Sequence, residues 1–140
     1  MRGNGNRRAP RLPTAPLVRA MHASLLARFG GLSGTVEEGK LESALARAQQ
    51  RMANGDPPST VFDLAAECAY GIARNHPFSD GNKRVALATA DIVLWLNGIE
   101  FTAGQAETVV TIQALAAGEI GVDQLAAWFV QNSVKATRRR

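Results

Sequence analysis

Between residues 76 and 84 the chain reads His76-Pro77-Phe78-Ser79-Asp80-Gly81-Asn82-Lys83-Arg84. An imidazole, a carboxylate, a glycine, an amide and two cations thus stand within nine residues. Asp80-Gly81-Asn82 is turn chemistry: Asp and Asn can cap a helix, and Gly81 is free to take positive φ. An apolar helical run follows, so the tripeptide opens a helix whose first N–H groups lack partners and attract anions. Lys83 and Arg84 oppose the helix dipole at that end, a local cost that makes sense if an anion sits against them. Arg84 offers a planar fork to two phosphate oxygens. The expected ligand is a nucleotide phosphate, held by the first amides of this helix, Lys83 and Arg84.

Asp80 is the one carboxylate among these cations. Magnesium is usually held by one or two carboxylates plus phosphate oxygens, which makes Asp80 the candidate Mg2+ ligand. His76, with an ordinary pKa of about 6.5, is the candidate catalytic base for an attacking hydroxyl. Pro77 biases the His76 backbone toward an extended conformation. Phe78 is expected to turn inward and pin the loop. Each residue alone has an ordinary structural reading; their convergence at the mouth of an apolar helix favours chemistry.

Six helices are expected to position this segment. Apolar spacing from Leu17 to Phe29 stops at Gly30-Gly31, where glycine can close a helix. A second helix starts near Val36 to Gly39 and reaches about Ala53, with Arg47 and Arg51 in its second half as the dipole prefers. Ser59 or Thr60 caps a third helix ending at Asn75. The fourth runs from Asn82 to about Asn97, and Ile99–Phe101 is briefly extended. Thr102 and Gln105 have capping-box spacing for a fifth, Ala103 to Ala117. A sixth opens near Asp123 and ends in the basic tail. The fold class is all-α, a bundle around the fourth helix: Val85, Leu87, Ile92, Val93, Leu94, Trp95 and Leu96 do not fit on one face, so this helix is expected to be surrounded. Asp91 inside that run either reaches a bundle edge or pairs with an arginine.

The remaining candidates carry less. Gly30-Gly31-Leu32-Ser33-Gly34 lacks the Lys-Ser/Thr and the preceding strand of a phosphate loop, and reads as a helix stop with a turn. His22 is expected at the surface or boundary of the first helix, and Cys68 and Tyr70 pack. A lone cysteine and two histidines give no disulfide and no metal-binding spacing.

With 140 residues, 46% of them hydrophobic, the chain suits one domain with a real core. The expected division is a flexible basic arm over 1–16, a domain over 17–134 and a basic tail over 135–140. Five arginines and no acid lie in residues 1–20, and Lys135, Arg138, Arg139 and Arg140 close the chain. The other seven cations and all twelve acids give residues 21–134 a charge of −5. No aromatics interleave with the terminal arginines, so nucleic-acid binding is not expected. The longest apolar stretch, Val85–Leu96, is twelve residues against the roughly twenty a membrane span needs. No signal peptide is visible, and a cytoplasmic location is expected.

His76–Arg84 resembles the Fic/Doc signature, His-x-Phe-x-Asp/Glu-Gly-Asn-x-Arg. Gly30–Gly34, Gly39–Leu45, Leu94–Gly98 and Gly118–Ile120 resemble the Doc (death-on-curing) branch, so the likeness covers about residues 17–132. It implies an all-helical fold in which this loop binds ATP, His76 activates a protein hydroxyl, Asp80 ligates Mg2+ and the loop amides at Gly81, with Asn82, Lys83 and Arg84, hold phosphates. Fic enzymes that transfer AMP usually read Gly-Asn-Gly-Arg-x-x-Arg; here Lys83 replaces the second Gly and Leu87 the second Arg. These departures match Doc, which is associated with transfer of the terminal phosphate to a threonine of elongation factor Tu. Val85 stands where relatives commonly have Thr. The resemblance further implies a toxin neutralised by the disordered segment of a partner antitoxin. An AMP transferase and a catalytically silent module of the same fold are the alternatives. The loop Asn54–Ser59 occupies the position of a target-positioning flap in Fic proteins.

Overall fold

A computed structural model describes residues 9–55 and 58–137. Side-chain caps open two of the six helices among the described residues. Thr14 accepts a hydrogen bond from Leu17 N and opens helix α1, Ala15–Phe29, which closes at Gly30 with φ 82°. Helix α2 is Glu38–Asn54. Helix α3, Val61–Asn75, starts with a reciprocal box: Thr60 Oγ1 accepts from Asp63 N at 3.1 Å, and Asp63 Oδ2 from Thr60 N at 2.9 Å. Caps of this kind stabilise by about 0.5–2 kcal/mol. Helix α4, Asn82–Leu96, follows Gly81, and strand β1 is Ile99–Phe101. Helices α5, Gln105–Ala116, and α6, Val122–Gln131, lead into strand β2, Ser133–Lys135.

The fold is all-α with one small addition: β1 and β2 pair antiparallel, Ile99 opposite Lys135 and Phe101 opposite Ser133. The pairing removes Lys135 from the expected tail, and residues 138–140 lie outside the described residues. It also displaces the expected start of α5. Thr102 does not cap that helix, because its N–H and Oγ1 both donate to Asn132 O, at 2.7 and 2.9 Å. The expected arm likewise ends early. Pro13 is buried, Leu12 packs on the core, and the Arg11 backbone makes two hydrogen bonds to the Asn97 side chain. The rest of the arm, residues 1–8, lies outside the described residues, as do residues 56 and 57 of the proposed flap.

The centre of the bundle is α3 rather than α4. Nine α3 residues from Leu64 to Ala73 are buried, and the helix packs against α2, α4, α5 and α6. Its small side chains allow close approach: a Cβ on Gly71 would lie 2.7 Å from the Ala44 carbonyl oxygen of α2. On α4, Val85, Ala86, Ala90, Val93 and Leu94 are buried, whereas Lys83, Arg84, Asp91 and Trp95 are exposed. Its apolar run therefore overstates its burial. Asp91 reaches the bundle edge beside Trp95 and has no salt bridge among the described residues; partial burial raises its carboxyl pKa.

Arg47 and Arg51 serve more than the α2 dipole. They meet Glu67 of α3 at 3.1 and 3.0 Å, and Arg51 also approaches Asp63 at 3.5 Å. Cys68 is fully enclosed, and burial, then the neighbouring Glu67, pushes its thiol up to about 12, so it packs as an apolar group. Tyr70 packs too, with the Arg47 guanidinium 4.8 Å from its ring centroid. No helix among the described residues is long and apolar enough to cross a membrane.

Candidate active site

The α3–α4 connection carries the residues singled out by the sequence. His76 ends α3 in the left-handed conformation, φ 52° and ψ 59°, not the extended one its proline suggested. The helix-closing bond from His76 N to Ile72 O, 3.2 Å, decides the conformation against the local bias. A non-glycine residue there costs on the order of 1 kcal/mol, a strain typical of functional positions. Pro77 is buried behind it, and its carbonyl accepts from Glu37 N at 2.8 Å.

Phe78 turns inward, 4% exposed. Its N–H donates to Asn82 Oδ1 at 3.0 Å and its C=O accepts from Asn82 Nδ2 at 2.8 Å. These two bonds fix the orientation of the amide and leave its nitrogen 3.3 Å from His76 Nδ1. Asn82 is thus buried within the loop, holding Phe78 and the imidazole.

Asp80 is held at every acceptor. Its Oδ1 accepts from Gly81 N at 2.8 Å and its Oδ2 from Leu32 N at 3.0 Å. The Leu32 amide first, then the Gly81 amide, with Arg84 and His22 adding to them, hold the carboxyl below its ordinary value. Each oxygen retains a lone pair for a cation. Gly81 takes φ 79°, and no side chain caps α4, so the amides of its first turn stay open beside Lys83 and Arg84. Arg84 lies over the ring of Phe29, 4.9 Å from its centroid.

All six polar candidates, His76, Asp80, Gly81, Asn82, Lys83 and Arg84, line one open cavity of about 520 Å³. A second cavity of about 500 Å³ shares Phe29, Lys83 and Arg84 and continues over Leu87, Val109 and Ile112, with Gln105 and Gln113 at its wall. The site therefore has a cationic end and a mostly apolar end. Among the described residues no three potential His, Cys, Asp or Glu ligands cluster. A metal held by protein alone does not fit. A magnesium ion held by one carboxylate and by substrate phosphates fits Asp80.

Two contributors escaped the sequence reading. His22 is 5% exposed, not a surface residue; its ring stacks on Phe78 with centroids 3.8 Å apart, and Nε2 lies 2.7 Å from Asp80 O. The glycine turn after α1 cradles the loop as well as stopping the helix. A Cβ on Gly31 would lie 2.9 Å from Asp80 Oδ2, and one on Gly34 would overlap Ser79 Oγ. The inward-facing spacing of Met21, Leu25 and Leu26 was the available sign for His22, but its partner is 58 positions away.

A helical bundle with an open, cationic helix start and a strained histidine beside it is an arrangement that attracts anions such as phosphate. Residues 13–94 match the Fic/DOC family. Protein kinase doc of Escherichia phage P1 is 35% identical over 107 residues, 76% of this chain and 83% of that protein. Toxin Doc of Mycolicibacterium smegmatis (strain ATCC 700084 / mc(2)155) is 39% identical over 75 residues, 54% of this chain and 58% of that protein. The chain belongs to the Fic/DOC family, on its Doc branch.

Proposed function

We propose that this Doc-like protein is a toxin that transfers the terminal phosphate of ATP, with Mg2+, to a serine or threonine hydroxyl of a translation protein such as elongation factor Tu. The observation that carries the reading is the uncapped start of α4, where open amides, Lys83 and Arg84 face the same cavity as His76 and Asp80. The kinase and toxin names of its relatives support phosphate transfer over other phosphate chemistry. Leu87, lining the apolar cavity where AMP-transferring relatives carry a second arginine, supports it too.

In this mechanism the α4 amides, Lys83 and Arg84 bind the triphosphate, and the cavity over Leu87 and Ile112 has room for the nucleoside end. His76 takes the proton of the attacking hydroxyl. Its oxygen forms a bond to the γ-phosphorus while the bond from that phosphorus to the β–γ bridging oxygen breaks, and ADP leaves. Asp80 would hold the magnesium ion, which neutralises developing charge on the phosphate oxygens. Phe78 and Asn82 keep the imidazole in place. The reading extends to a cytoplasmic setting and to a partner antitoxin whose disordered segment neutralises the toxin.

ATP labelled at either the α or the γ phosphate tests the reaction. Label on elongation factor Tu from the γ position alone is the expected result, and label from the α position would sink it in favour of AMP transfer.

A further inference from the structure

We propose that His22 is a positioning residue that fixes Asp80 from beneath the loop. The inference rests on the reading of Asp80 as the magnesium-bearing carboxylate. A carbonyl oxygen only accepts, so the 2.7 Å contact to Asp80 O makes Nε2 the protonated ring nitrogen. The same ring stacks on Phe78 at 3.8 Å with 12° between planes. One buried side chain of α1 therefore holds both the apolar pin of the loop and the backbone of its carboxylate residue.

The opposite side of Asp80 is held by the same segment of chain. Leu32, three residues past the end of α1, donates to Oδ2 at 3.0 Å. Gly31 leaves room for that contact, since a Cβ there would lie 2.9 Å from Oδ2. Residues 22–32 thus form a clamp: an imidazole N–H on the Asp80 carbonyl and a backbone N–H on its carboxylate. A phenylalanine at position 22 would supply the burial and the stack without burying a polar group. What the histidine adds is the hydrogen bond, and its recipient is Asp80. A group that orients a metal ligand from outside its coordination sphere commonly changes metal affinity about 10–100-fold when lost.

The test compares His22→Phe, which keeps the stack and loses the donor, with His22→Gln, which keeps an N–H donor. Calorimetric binding of a non-hydrolysable ATP analogue is measured with and without Mg2+, and the Mg2+ concentration for half-maximal phosphotransfer is measured alongside. In His22→Phe, binding of the Mg2+ complex should weaken about 10-fold and half-saturation rise equally, with metal-free binding unchanged. His22→Gln should recover most of the loss. Equal weakening with and without Mg2+, or no weakening, overturns the proposal. Asp80→Asn is the control: if it leaves the Mg2+ dependence unmoved, the metal reading of Asp80 fails and takes the proposal with it. If Asp80→Asn shifts that dependence and His22→Phe does not, the role of His22 alone fails. Should His22→Phe not fold, His22→Leu is the donor-free variant, and failure of both to fold assigns the bond to stability and overturns the proposal.

Discussion

At the α2–α3 seam Arg47 and Arg51 meet Glu67, and Arg51 reaches Asp63 as well. At the start of α4, Lys83 and Arg84 have no salt-bridge partner among the described residues. The first cluster is satisfied internally and half-enclosed, and its charges hold two helices in register. The second spends its local acid on main-chain amides, because both Asp80 oxygens accept backbone N–H groups. Its cations stay available to a ligand. The two clusters therefore differ in kind: one is paired between helices, and the other, unpaired among the described residues, faces the cavity.

The comparison breaks if mutations at the two clusters have similar consequences. The largest expected effect is at the base: His76→Ala should lower phosphotransfer about 10²–10⁴-fold, measured with γ-labelled ATP, with little change in thermal midpoint. Retained activity would remove His76 from the chemistry. Next is Arg84→Ala, which should weaken nucleotide binding about 10–100-fold by calorimetry, as expected for a lost charged hydrogen bond. Glu67→Ala should do the reverse of both. It strips two arginines of their partner and should destabilise by about 1–3 kcal/mol in urea unfolding, leaving activity per folded molecule unchanged.

A smaller effect sharpens the contrast through pH. The folded Asp80 carboxyl titrates below its ordinary 3.8, so its contribution to stability is fully present above that value. The contribution is lost as pH falls through the lower folded value. Asp80→Asn should therefore lower stability slightly at neutral pH and flatten its acid dependence below about pH 4, so that variant and parent converge as the pH falls. An unchanged acid limb would show that the two amide bonds do not favour the charged form.

How much of this was legible in the sequence followed the range of the interaction. The loop was readable because its chemistry lies in nine consecutive residues and its helix start is announced by Asp80-Gly81-Asn82. Helix ends at Gly30 and near Asn97 were readable for the same local reason. Ile99–Phe101 was readable as extended, but its pairing with Ser133–Lys135 was not, since the partners lie more than thirty positions apart. The centrality of α3 was hidden by its alanines and Gly71, which pack closely without raising hydrophobicity as the leucines of α4 do. Asn82 was read as a phosphate-binding residue, whereas its amide is engaged by Phe78, a contact that depends on the loop's fold.

The small sheet and the Arg11–Asn97 pair have a practical consequence for handling the protein. Both gather the described ends of the chain at the C-terminal pole of α4, where Ala136 N also bonds Gly98 O. The reactive loop sits at the other pole, and 15 residues of helix at 1.5 Å each separate the two by about 22 Å. Surface immobilisation or a reporter attached near either described end would therefore address the molecule from the pole away from the His76–Arg84 loop.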